Sequence, residues 1–247
     1  MTHSTARIRA RLAATVVGAT IVSTAALGLV AAAPAGAFGG AASNACRPFT
    51  VVKAKVHAAA VRREATLATL VAKLQARRDP WTLNASQIST LQSASAGISA
   101  LDSKVQTTCY SDTAALRADA TTLFTGYRVY WLRVPQTHGI EAADRLSEAR
   151  TRLGAVATKL AAHVGTNAKA QADLAAMNQA LTAADGVLGT PPTPAAHISA
   201  LVSLAPAADM TADVAAMETA RTDLQTVRAS LVQARADGLA VLGDLGA

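Results

Sequence analysis

Phe124-Thr-Gly-Tyr-Arg-Val-Tyr-Trp-Leu-Arg-Val-Pro-Gln-Thr-His-Gly-Ile-Glu141 is the stretch on which the rest of the chain has to pack. The 247 residues include only three Phe, three Tyr and two Trp, and four of these rings, Phe124, Tyr127, Tyr130 and Trp131, stand here just ahead of Pro135. Elsewhere the chain is short of bulk: 51% of it is hydrophobic but 3% aromatic, and alanine makes up much of the difference. That is the profile of closely approaching helices, since strands favour β-branched and aromatic residues. Before Pro135, Leu116, Ala120, Leu123, Tyr127, Tyr130 and Val134 recur at spacings of four and three; after it, Leu146, Ala149, Leu153, Val156 and Leu160 resume the rhythm up to Gly165. The spacing predicts one long helix, capped at Ser111 and bent at Pro135, because proline lacks the N–H that the helix ladder needs.

The rings have two readings. With Arg128 and Arg133 beside them they form a candidate ligand cleft, where a proline break frees a backbone carbonyl and a sugar or aromatic ligand could stack. They also form a candidate packing hub, filling the space where alanine-rich helices diverge at a bend. The poverty of bulk in every neighbouring segment favours the hub.

Working outward toward the N-terminus, Arg7, Arg9 and Arg11 precede an uncharged run from Leu12 to Val30, and Ala35-Gly36-Ala37 follows. This order of charge, apolar run and small residues predicts a secretory signal peptide over residues 1–37, the competing reading being a retained anchor. Residues 38–247 are then expected to form a single domain: a disulfide-closed helical hairpin over 38–110, a kinked long helix over 111–165 and C-terminal helices over 166–247. Loss of the three arginines would leave 20 basic against 16 acidic residues, a moderate excess that does not call for nucleic acid in an exported chain.

In an exported chain the two cysteines, Cys46 and Cys109, are expected to be bonded, and Arg77-Arg78-Asp79-Pro80 lies midway between them as the turn of the hairpin. Helix one is predicted from about Pro48 to Arg78, with Val56, Ala60, Arg63, Leu67, Leu70 and Leu74 on its core face. Lys55, Arg62, Lys73 and Arg77 fall within about 60° of one another beside that face, a basic stripe suited to an anionic cell-wall polymer or membrane surface. Asn84 reads as the N-cap of helix two, with Gln87 reaching back to it, and Ile88, Leu91, Ser95, Ile98, Val105 and Cys109 as the seam; Asp102 is the odd residue there. Asn84-Ala85-Ser86 also matches the glycosylation sequon.

Toward the C-terminus, Leu174, Met177, Leu181, Ala184 and Leu188 predict a helix from Asn167 that ends at Gly189. A proline-rich loop, a short helix from Thr193 through Leu204, and a last helix with Pro206 in its first turn follow. In that last helix Met217, Leu224 and Leu231 occupy heptad position a, and Ala220, Val227, Ala234 and Val241 position d. Arg221, Arg228 and Arg235 fall at e and Asp209, Asp223 and Asp237 at g. Packing within the chain, with helix one as the candidate neighbour, is favoured over a dimer.

No catalytic signature is present: no nucleophile elbow, phosphate loop or paired-histidine zinc motif occurs, and His57, His138, His163 and His197 are scattered. No metal and no cofactor is expected. His138, Glu141 and Asp144 share a helix face, a spacing that could serve a metal or an acid–base pair; the favoured reading is that acids in a first helical turn complement its dipole. The run Tyr127 to Gln136, followed by Ala142-Ala143-Asp144, resembles a segment of uncharacterised exported alanine-rich helical proteins of high-GC Gram-positive bacteria. That resemblance implies export and a helical fold and carries no activity with it. The expectation is an all-α, elongated antiparallel bundle with coiled-coil-like seams and a proline-kinked central helix. It is expected to be secreted or surface-associated, non-enzymatic and monomeric, with an anionic wall polymer or another envelope protein as partner.

Overall fold

The computed structural model describes residues 49–77, 82–189, 195–206 and 210–246. The chain is all-helical, with α1 Thr50–Gln75, α2 Thr82–Thr107, α3 Thr113–Thr125, a π-helical turn Val129–Arg133, α4 Val134–Ala161, α5 Ala168–Leu188, α6 Ala196–Ser203 and α7 Thr211–Leu245. No strand occurs among the described residues, and none of the described helices is long and apolar enough to cross a membrane. The segment 1–37, Cys46, the turn at Arg78-Asp79-Pro80, and Thr193 and Pro194 lie outside the described residues.

The apolar spacings place the cores. In α1 the face Val56, Ala60, Arg63, Leu67, Leu70, Leu74 is buried throughout. In α5 the residues Leu174, Met177, Leu181, Ala184 and Leu188 are all buried. In α7 the heptad residues Ala220, Leu224, Val227, Leu231, Ala234 and Val241 are buried, and Met217 is half-buried. Each fully buried leucine, such as Leu67 or Leu153, contributes roughly 1.5–3 kcal/mol by leaving water. α7 packs on α5 and α4, rather than on helix one as its heptads alone left open. The α5–α7 approach is close: a Cβ at Gly238 would stand 3.1 Å from the Met177 sulfur, so only glycine fits without a shift.

The buried apolar residues form two clusters. The first joins α1, α2 and α3 and includes Leu67, Leu91, Ile98, Leu116, Leu123 and Val129. The second joins α4, α5, α6 and α7. The two exchange members, since Leu83 at the start of α2 belongs to the second cluster and Val134 at the start of α4 packs against the first.

Within the first cluster α1 and α2 run antiparallel. Lys53 Nζ donates to the carbonyls of Gln106 at 3.0 Å and Thr108 at 2.8 Å, and Gln106 Nε2 donates back to the Lys53 carbonyl at 3.1 Å. Asp102, the odd residue of the α2 seam, meets His57 Nδ1 at 2.6 Å. Cys109 follows the end of α2 at Thr107.

Several helix ends differ from the sequence expectation, each for a local reason. α2 begins at Thr82, so Asn84 lies inside its first turn; its side chain is buried and caps nothing, so the asparagine of the sequon is covered although Ala85 and Ser86 are exposed. Asp112 rather than Ser111 caps α3, its Oδ1 accepting from the N–H groups of Ala114 at 2.8 Å and Ala115 at 3.0 Å. Carboxylate is the stronger acceptor for those N–H groups. The last helix begins at Thr211, five residues beyond Pro206. Asn167, read in the sequence only as the start of this helix, caps α5, accepting from Ala170 N–H at 3.1 Å.

Candidate functional site

The break in the central helical stretch comes before Pro135. α3 ends at Thr125, and Arg128 takes left-handed backbone angles, φ 41° and ψ 45°, that cost a residue with a Cβ about 1 kcal/mol or more. Its Nε donates to the Thr125 carbonyl at 3.0 Å and so closes the turn. The chain then enters the π-helical turn, in which Leu132 N–H bonds the Arg128 carbonyl at 2.8 Å and Val134 N–H reaches the Val129 carbonyl. Pro135 stands in the first turn of α4, where its missing N–H is least needed.

This break decides which way the rings face. In one continuous helix Tyr127, Tyr130 and Val134 would share the inner side with Leu123. After the turn at Arg128 it is Val129, Leu132 and Arg133 that point inward and are buried. Phe124, Tyr130 and Trp131 stay 51%, 49% and 65% exposed. These three rings therefore stand about half or more open to water, while Leu123, Val129 and Leu132 are the residues buried at the break. Tyr127 alone packs closely, against α2, where a Cβ on Gly97 would stand 2.6 Å from its hydroxyl oxygen.

Two of the exposed rings, Phe124 and Tyr130, rest on α1 through Arg63. Its guanidinium carbon lies 4.4 Å from the centroid of the Phe124 ring and 5.2 Å from that of Tyr130, while Nη1 donates to the Ala59 carbonyl at 3.0 Å. Burial pushes the Arg63 pKa down, the Tyr130 side chain opposes this, and the charge of Arg62 adds to it. A guanidinium over two rings contributes on the order of 1 kcal/mol, more where water is excluded.

The basic stripe runs along α1 to one side of Arg63. At 100° per residue Lys55, Arg62 and Lys73 lie about 80–100° to one side of Arg63 around α1. The opposite flank carries Val71 and Gln75, which with Leu91 and Ser95 of α2 line an open groove of about 270 Å³. Lys55, Arg62 and Lys73 are exposed. Arg77 has left the stripe: it lies past the end of α1, with Nε 2.6 Å from Asp144 and Nη2 3.1 Å from Glu148. Burial alone would lower its pKa, but the Asp144 hydrogen bond and charge outweigh that and raise it.

Inside, the remaining candidates meet in a polar junction between the clusters. Arg133 Nη1 donates to Gln136 Oε1 at 3.0 Å and to the Leu204 carbonyl at 2.9 Å, and Gln136 Nε2 donates to the Leu201 carbonyl. Gln87 Nε2 donates to Thr137 Oγ1 at 2.8 Å. Arg133 is thus a structural cation inside the chain, its pKa lowered by burial with the charge of Asp213 opposing. Gln136 and Thr137 were not singled out in the sequence, and Gln87, expected to reach back to Asn84, donates across to Thr137 instead. A signal existed: Gln87, Leu91, Ala94 and Ile98 form one stripe, and Arg133, Thr137, Ile140 and Asp144 another, so polar residues were standing at core positions.

His138 and Glu141 do come together, with Nδ1 3.7 Å from Oε2, and Arg145 pairs with the same carboxylate. His138 is the main cause that holds the Glu141 carboxyl down at about 2; burial opposes, and Arg145 reinforces the lowering. Asp144 turns instead to Arg77, so the three do not converge. Among the described residues no three His, Cys, Asp or Glu side chains are grouped to hold a metal ion. Comparison with protein-family models, with curated proteins and with solved structures found no significant match to this chain.

Proposed function

We propose that this chain is a secreted or cell-surface-associated, non-enzymatic helical interaction protein. The observation that carries the reading is the exposure of Phe124, Tyr130 and Trp131, the first two of them stacked on Arg63. Rings left half exposed gain little from folding by themselves, and clustered exposed apolar side chains mark interaction surfaces. On this reading residues 1–37 direct export, and residues 38–247 act as one elongated antiparallel bundle whose α4, α5 and α7 seams are coiled-coil-like and whose central helix is broken near Pro135. The likeness to exported alanine-rich helical proteins belongs to the same proposal. So does the Cys46–Cys109 bond, which the pairing of Lys53 with Gln106 and Thr108 supports by setting the start of α1 beside the end of α2. Closing a loop of this length stabilises by roughly 3–4 kcal/mol.

Fractionation of cells expressing the full chain tests the reading: the expected location is the medium or cell surface, with the N-terminus of the recovered protein near Phe38. Confinement to the cytosol, or a turnover that depends on His138 or Glu141, would overturn it. The second reading, retention on anionic wall polymer, is supported by the exposure of Lys55, Arg62 and Lys73. Equal retention of wild type and a triple alanine variant on purified wall at low salt removes it.

A further inference from the structure

We infer that the surface formed by Phe124, Tyr130 and Trp131 with its rim of Lys55, Arg62 and Lys73 docks on the headgroup region of an anionic lipid bilayer. Two different chemistries stand side by side here. The rings are amphipathic or apolar and about half or more exposed, and Arg63 supports two of them, Phe124 and Tyr130, from beneath, with Trp131 next to Tyr130 in the chain. Rings of this kind gain by sitting at the boundary between headgroups and acyl chains, with the indole N–H and phenol O–H still wet. The rim is cationic, and lysine or arginine near an anionic leaflet contributes on the order of 1 kcal/mol each.

The nearby acids are turned elsewhere. Glu64 falls on the opposite flank of α1, about 100° beyond Arg63. Asp119 on α3 is held by Lys104 Nζ at 2.7 Å and the Tyr110 hydroxyl at 2.7 Å. The patch therefore meets an anionic surface without opposing charge from its own flank. A wall polymer of phosphates and polyols would satisfy the rim but offer an indole nothing to enter. A bilayer satisfies both halves of the surface. Export, on the reading proposed above, also brings the chain to such a bilayer, and the docking itself is tested independently of that route.

The test uses the full chain carrying Trp81→Phe, which leaves Trp131 as the single tryptophan. Phosphatidylcholine vesicles with phosphatidylglycerol are expected to shift Trp131 emission to shorter wavelength and to protect it from acrylamide. Partitioning should be about tenfold or more stronger than on phosphatidylcholine alone and should weaken with salt. Replacing Lys55, Arg62 and Lys73 together by alanine should remove most of that preference. If the Trp81 variant does not fold, quenching by brominated lipid compared between wild type and Trp131→Phe reads the same contact. An unshifted Trp131 on vesicles with which the protein sediments, an equal response on neutral vesicles, or retention on isolated wall polymer with no shift on lipid would each overturn the docking. None of these outcomes bears on whether the chain is exported, which fractionation reads separately.

Discussion

Arg63 shows how one side chain can be both core and surface. Its stem continues the α1 stripe between Ala60 and Leu67, while its guanidinium supports two rings that face water. Arg63→Ala is expected to lower stability by about 1–3 kcal/mol in urea unfolding, through lost packing and lost ring contact together. Arg63→Lys should recover only part of this, because a point charge does not stack as a plane does. Tyr110 is a second case. It is buried, its hydroxyl donates to Asp119, and burial first, then that partner, push its pKa up to about 12. A pKa raised on folding means the folded state holds the proton more tightly. The stabilisation is therefore complete below the unfolded value near 10 and is lost as pH rises through about 12. Urea midpoints between those values should fall for wild type by the equivalent of about 1–2 kcal/mol, and Tyr110→Phe should flatten that slope.

Among the elements, α4 carries the most information per residue, because its first turns join both clusters. Gln136 donates to α6 carbonyls and accepts from Arg133, all without water access. Gln136→Ala removes these bonds, leaving Arg133 Nη1 with the Leu204 carbonyl alone, and is expected to cost about 1–3 kcal/mol and to speed amide exchange across Ala196–Ser203. Glu141 gives α4 an acid-sensitive contact. Its pKa is depressed on folding, so its contribution is present above the unfolded value near 4.3 and is lost as pH falls through about 2. Because His138 and Arg145 are half in water, about 1 kcal/mol is expected, and Glu141→Gln should flatten the stability profile in that window.

The helices themselves were legible because leucine and alanine spacing has only one helical solution: the buried faces of α1, α5 and α7 coincide with the stripes read from the sequence. The site was less legible, since exposure of the rings depends on where the helix breaks. Proline is the visible breaker, but the left-handed Arg128 and the π turn do the turning, and neither has a distinctive residue signature. Ion pairing hid in the same way. Arg77 sits in the basic stripe by angle, yet Asp144 and Glu148, distant in sequence, draw it off.

For the molecule as a whole, the two clusters raise the question of whether they unfold separately. Each alone is a small helical core, and Ile98→Ala in the first or Met177→Ala in the second should cost about 2–5 kcal/mol. The contacts between them are few but of the kind that penalises separation. Leu83 of α2 sits in the second cluster and Val134 of α4 packs against the first, Gln87 bonds Thr137 out of water, and Arg77 ties the end of α1 to two carboxylates of α4. Parting the halves would expose the apolar groups and leave buried polar groups to find water at once, which favours a single cooperative transition. Urea unfolding followed by far-ultraviolet ellipticity and by tryptophan emission should then give coincident midpoints, and either core truncation should move both together. Arg77→Ala with Gln87→Ala removes the polar ties and leaves both cores intact. That variant should split the transition, so that Met177→Ala added to it shifts only the step assigned to α4, α5 and α7. Midpoints that already differ in the wild type would mean that the exchanged leucine and valine do not couple the clusters.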